Sequence, residues 1–231
     1  MSLFALIPSP IVAPETWAPV AEALRRRGDD ALVADLDREA GAGGPYWRRQ
    51  ARSSAAALRA LPDDPPPFLV AHSGAGVLLP AIRQELGRPV AGYLFVDAGI
   101  PTDGEPRHGA GAFAAQLRDL YARGGRYPDW SEDDLSALVP DLAARRLIGP
   151  RPQPWDFWDE AIPVFAGWPD APCAFLQFTA SYDEDAERAR REGWPYRRID
   201  AGHFHPLVAP AEVADALRDL AARLRPEPPS A

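Results

Sequence analysis

Ser73 stands in the run Phe68-Leu-Val-Ala-His-Ser-Gly-Ala-Gly76, where a short apolar segment breaks into small residues and then resumes as an apolar-periodic stretch over 77–86. A serine hydroxyl is too weak an acid to attack a carbonyl at neutral pH. It needs a histidine to take its proton and a carboxylate to hold that histidine's tautomer. Four histidines are present, and His203 and His205 lie together in Asp200-Ala-Gly-His-Phe-His-Pro206. Two aspartates follow apolar runs: Asp97 after 90–96, and Asp183 in Thr179-Ala-Ser-Tyr-Asp183. The bland alternative for Ser73 is a helix N-cap. The pair His203-x-His205 could ligate a metal, but no third ligand at motif spacing accompanies it, so no metal is expected.

The elements that must position these groups can be read from the hydropathy pattern. Strand-like runs fall at 3–7, 31–34, 68–71, 90–96, 174–178 and 196–199, with helical patterns at 17–26, 47–60, 77–86, 184–191 and 211–224. Short apolar strands alternating with helices predict βαβ units, an α/β fold with a mostly parallel sheet of about six strands flanked by helices. Residues 101–172 interrupt the alternation with no convincing strand and with helical patterns at 112–121, 132–147 and 155–165. Such a length exceeds ordinary connections, which predicts a helical lid inserted into a core of 1–100 and 173–225. The insertion is rich in aromatics, and Trp130, Trp155 and Trp158 are the expected substrate-binding side chains under it. The proline-rich residues 226–231 are expected to be a flexible tail.

Composition narrows the function classes. Every one of the 25 basic residues is arginine, so Schiff-base lysine chemistry is excluded. A net charge of -8 without a basic stripe argues against nucleic acid and gives no reason to expect an anionic membrane partner. The single cysteine, Cys173, sits in an apolar run and is expected as a buried core thiol, compatible with a reducing, cytoplasmic setting. The apolar run at 3–7 lacks a basic leader and is too short for a signal or membrane segment.

With Ala71 and Ala75 two residues to either side, Ser73 resembles the nucleophile elbow of the α/β-hydrolase fold superfamily. The resemblance covers almost the whole chain and suggests a compact member without the two leading antiparallel strands. It implies a serine hydrolase that needs no cofactor, with Ser73 as nucleophile, His203 in the family's histidine loop as general base, and Asp183 in the acid loop. Asp97 occupies the strand end used as an alternative acid position, and His205 competes with His203. The N–H of Gly74 would stabilise the oxyanion. One departure concerns the second donor: members of this kind commonly carry His-Gly-x after the first strand, with x donating its N–H. Here the run is Leu6-Ile-Pro-Ser-Pro-Ile11, and Pro10, which has no N–H, falls at the donor position. Either the N–H of Ile11 or the hydroxyl of Ser9 then replaces it, or the hole is one donor short.

The expected reaction is cleavage of a small to medium, largely apolar ester, thioester or lactone through an acyl-enzyme on Ser73. The alternatives are a lyase, C-C hydrolase or cyclising enzyme on the same scaffold, and a ligand-binding receptor without turnover. The small-molecule substrate is not specified by the sequence, and the oligomeric state stays open.

Overall fold

The computed structural model describes residues 1–36, 43–61 and 64–225. The apolar runs become six strands: β1 (Leu3–Ile7), β2 (Asp30–Val33), β3 (Phe68–Ser73), β4 (Gly92–Ala98), β5 (Cys173–Gln177) and β6 (Tyr196–Arg198). They form one parallel sheet in the order β2-β1-β3-β4-β5-β6. Alternate residues feed opposite faces, as the two-residue period of a strand requires. Ala5, Ile7, Leu69, Ala71, Phe95 and Phe175 pack against helices α2 (Tyr46–Leu58), α3 (Leu79–Leu86) and α8 (Asp183–Arg191). Phe4, Leu6, Val70, Leu94, Val96 and Leu176 pack against α1 (Ala18–Arg26) and α10 (Pro210–Leu224), the latter preceded by the single turn α9 (His205–Val208). The four central strands are buried on both sides, which explains why they read as continuous apolar runs.

Between β4 and β5 the chain forms α4 (Gly111–Ala122), α5 (Glu132–Leu138), α6 (Leu142–Arg146) and α7 (Trp155–Trp158). Two helices are shorter than their apolar patterns suggest. The pattern over 132–147 is cut at Val139-Pro140, where the proline ring cannot follow an α-helical residue, and Asp141 caps a new helix through the N–H of Ala144. The pattern over 155–165 stops at Trp158, because Ala161 pairs with Pro106 in an isolated bridge and Pro163 follows. The insertion sits on loops beyond the sheet through a third apolar cluster, in which Leu117, Leu135, Ile148, Phe157 and Trp158 meet Ile11, Val12, Phe204 and Leu207. Cys173 is buried at the start of β5, where burial pushes its thiol pKa up. No helix among the described residues is long and apolar enough to cross a membrane. The tail expected at 226–231 lies outside the described residues.

Candidate active site

The carboxyl ends of β3 and β4 build the site, and both are bent out of ordinary strand geometry. Among the described residues, Ser73 (φ 58°) and Asp97 (φ 44°) are the two non-glycine positions with positive φ. Each such conformation costs about 1–3 kcal/mol, and strain of this kind clusters at functional sites. The pairing of β3 with β4 runs His72↔Val96 and then Ser73↔Ala98, so Asp97 is the extra residue of a bulge. A bulge re-aims a side chain, and here it turns the carboxylate out of the pleat. The elbow is compressed as well: a Cβ at Gly76 would collide with the carbonyl oxygen of Gly99, so only glycine fits there. Ala71 and Ala75, the small flanks of Ser73, are fully buried.

Asp97 is 0% exposed and is surrounded by donors. One oxygen accepts the N–H groups of Phe178 and Thr179, both at 2.9 Å; the other accepts the Thr179 hydroxyl at 2.9 Å and His203 Nδ1 at 2.7 Å. Burial works to raise its pKa, but the hydrogen bond and charge of His203, with the Thr179 and Phe178 N–H groups, hold it below the usual carboxylate range. An ionised acceptor on Nδ1 means that this nitrogen carries the hydrogen. The lone pair of the neutral ring is therefore on Nε2, as a general base requires.

The expected acid, Asp183, is elsewhere. β5 ends at Gln177, and Asp183 opens α8 beyond the turn Ala180–Tyr182. Its half-exposed side chain takes 2.6 Å from Gln177 Nε2 and 3.4 Å from Arg198 Nη1. The assignment is corrected accordingly: the carboxylate that meets His203 is Asp97, because the bulge delivers it beside β3 while the turn carries Asp183 past the site. His205, the competing base, is engaged with Glu212 at 2.8 Å and packs on Phe178.

Two residues join the site without having been expected in it. His72 is buried, stacks on His203 (4.4 Å between centroids, 28°), and donates from Nε2 to the His203 carbonyl at 3.0 Å. Burial, then the neighbouring His203, pushes its pKa down to about 3, so it is neutral. Tyr182 places its hydroxyl 3.2 Å from Ser73 Oγ and lays its ring parallel to His203 (5.7 Å, 15°). Burial raises the phenol pKa, so the group stays protonated. Tyr182 immediately precedes Asp183 in sequence, but nothing in the spacing says that one turns toward Ser73 and the other away.

On the other side of Ser73 lies the loop after β1. Gly74 and Ser9 approach each other there: a Cβ built on Gly74 would stand 3.7 Å from Ser9 Oγ and 3.8 Å from Pro10 Cδ. Of the three tryptophans, Trp130 packs edge-on against Phe204, the residue after His203 (5.5 Å, 88°). Trp155 stacks on His108, itself buried, and Trp158 donates to Tyr121 Oη at 2.8 Å; both lie in the packing of the insertion. A cavity of about 450 Å³ lined by Pro169, Cys173 and Trp194 opens at the amino end of β5, opposite Ser73, and takes no part in this site.

Comparison with known proteins agrees with this arrangement at the level of fold. An extracellular α/β-hydrolase from a Paenibacillus species, described as sharing structural and functional homology with tobacco salicylic acid binding protein 2, superposes with a TM-score of 0.76 at 16% identity, covering 95% of this chain and 99% of that one. Tomato methylketone synthase I gives 0.70 at 14% identity, covering 97% and 99%. A pyrethroid hydrolase from Sphingobium faniae gives 0.71 at 15% identity, covering 96% and 97%. No curated protein sequence matches the chain. The sequence model of the alpha/beta hydrolase family matches residues 7–216, from the end of β1 into α10, and the chain belongs to that family.

Proposed function

We propose that this protein is a serine hydrolase cleaving a small to medium, largely apolar ester, thioester or lactone through an acyl-enzyme on Ser73. The observation that carries the reading is the buried His203–Asp97 pair at 2.7 Å beside a serine held at φ 58° on an elbow. Ser73 Oγ would attack the acyl carbon while His203 Nε2 takes its proton. The leaving oxygen or sulfur would depart with that proton. Water would then attack the acyl-enzyme, with His203 again removing a proton and returning it to Ser73. Asp97 orients the ring and stabilises the imidazolium formed in both halves. The N–H of Gly74, following the nucleophile at the elbow, is one oxyanion donor. Residues 101–172 act as the lid, with Trp130 packed edge-on against Phe204 of the histidine loop.

A second reading, lyase, C-C cleaving or cyclising chemistry on the same scaffold, is favoured by one observation: Ser73 Oγ is engaged by Tyr182 Oη. In that case Ser73 would bind rather than attack. A fluorophosphonate probe separates the two. Labelling of the wild type that Ser73→Ala abolishes is the expected result, and a folded, turning-over enzyme that takes up no label would overturn acyl transfer.

A further inference from the structure

Ser9 is 3% exposed, and among the described residues its hydroxyl has no hydrogen-bond partner. Buried polar atoms are nearly always paired, so an unpaired hydroxyl beside an elbow calls for an explanation. The carbonyls of residues 9–11 are satisfied, whereas the Ile11 N–H, the other candidate donor, has no acceptor among the described residues. The Ser9 carbonyl accepts the Val12 N–H at 3.2 Å, the Pro10 carbonyl accepts Gln153 Nε2 at 3.3 Å, and the Ile11 carbonyl accepts the Arg151 N–H at 2.8 Å. Ala13 in turn donates to the Ile148 carbonyl at 2.8 Å, and Gly149, at φ 49°, leaves no room for a Cβ against Ala13. Residues 148–153 of the insertion thus strap the loop in place, and the Ser9 hydroxyl is left with nothing to donate to.

The direction is given by Gly74. Its built Cβ lies 3.7 Å from Ser9 Oγ and 3.8 Å from Pro10 Cδ, so both groups face the residue whose N–H follows the nucleophile. Proline Cδ occupies the place that an amide hydrogen would take, and a backbone donor at position 10 is thereby deleted. Resting on the acyl-transfer reading, we infer that the Ser9 hydroxyl is the second oxyanion donor of this site, doing the work of the N–H that Pro10 lacks. A hydroxyl rotor fixed at its Cα by the strap can turn its hydrogen onto a developing alkoxide. It makes no competing bond in the resting state, so nothing has to break when charge appears.

The test uses the full chain, a fluorophosphonate and a p-nitrophenyl ester, with Ser9→Ala, Pro10→Ala and the double variant. Ser9→Ala should lower kcat by about 10²–10³-fold with KM changed less than about threefold. Its melting temperature should stay level or rise, because removing an unpaired hydroxyl strands no partner. Adding Pro10→Ala restores an N–H at the deleted position and should recover at least about tenfold of the loss. Wild-type kcat and labelling rate in Ser9→Ala would overturn the inference, as would a loss that Pro10→Ala leaves unrepaired or one that tracks unfolding. The two levels of failure are separable. A labelled wild type with an unaffected Ser9→Ala sinks only the role of Ser9, whereas a wild type never labelled at Ser73 sinks acyl transfer and this role together.

Discussion

On the β4 and β5 side of Ser73, Asp97 accepts four hydrogen bonds, His203 is clamped between His72 and Tyr182, and Thr179 contributes both its N–H and its hydroxyl. On the β1 side, the carbonyls of residues 9–11 are satisfied, but among the described residues the Ile11 N–H and the buried Ser9 hydroxyl have no partner. In the proposed reaction the two regions face different tasks. The acid and base must keep one tautomer and one orientation before any substrate arrives, so their polar atoms are paired in advance. An oxyanion site must be vacant until charge develops, so its donors stay unpaired while the backbone beneath them is tied down.

That contrast can be attacked first where it is strongest. Asp97→Asn should reduce kcat by about 10³-fold or more, since the amide no longer selects the Nδ1–H tautomer of His203. Asp183→Asn, on a half-exposed side chain turned to Gln177 and Arg198, should stay within about twofold. Comparable losses in the two variants would return the acid role to open competition. Steady-state kinetics with a circular dichroism check on folding suffices.

The next effect concerns stability against pH. Folded His72 titrates at about 3 and the unfolded side chain at about 6.5, so the unfolded chain binds the extra proton and stability is lost as pH falls below about 6.5. The full slope is about 1.4 kcal/mol per pH unit, or about 2 kcal/mol by pH 5. Asp185 runs the other way. Its carboxyl, raised to about 6 by burial, favours the folded state as pH falls through 6. Urea denaturation at pH 7 and pH 5, compared between the wild type and His72→Gln, cancels the Asp185 contribution. The variant should lose less stability on acidification, and an identical loss would remove His72 from the account.

The smallest expected effect tests how firmly Ser73 is held at rest. Tyr182→Phe keeps the stacking on His203 and removes a hydrogen bond of about 1 kcal/mol, so labelling of Ser73 should quicken by up to about fivefold. A tenfold slowing would instead place the phenol in the chemistry.

Much of this protein is legible in one dimension. The central strands are apolar throughout because the sheet is covered on both faces, and strands that run parallel bring the ends carrying serine, acid and histidine to one edge of the sheet. Small residues around Ser73 mark a tight turn, closed to a Cβ at Gly76, and Pro10 announces a missing donor. Helix ends inside the insertion were less legible: periodicity carries across Val139-Pro140 although the backbone cannot.

The acid could not be chosen from sequence. Asp97 and Asp183 both follow strands, and only the bulge opposite His72 and Ser73, a property of the pairing between β3 and β4, turns one of them to His203. Tyr182 came to Ser73 for the same reason, since a contact made across 109 positions leaves no local pattern. Residue types and local spacing determined the elements, the elbow and the chemistry on offer. Tertiary packing alone decided which carboxylate meets His203 and which phenol meets Ser73, because side-chain direction at a strand end depends on neighbouring strands that the local sequence does not encode.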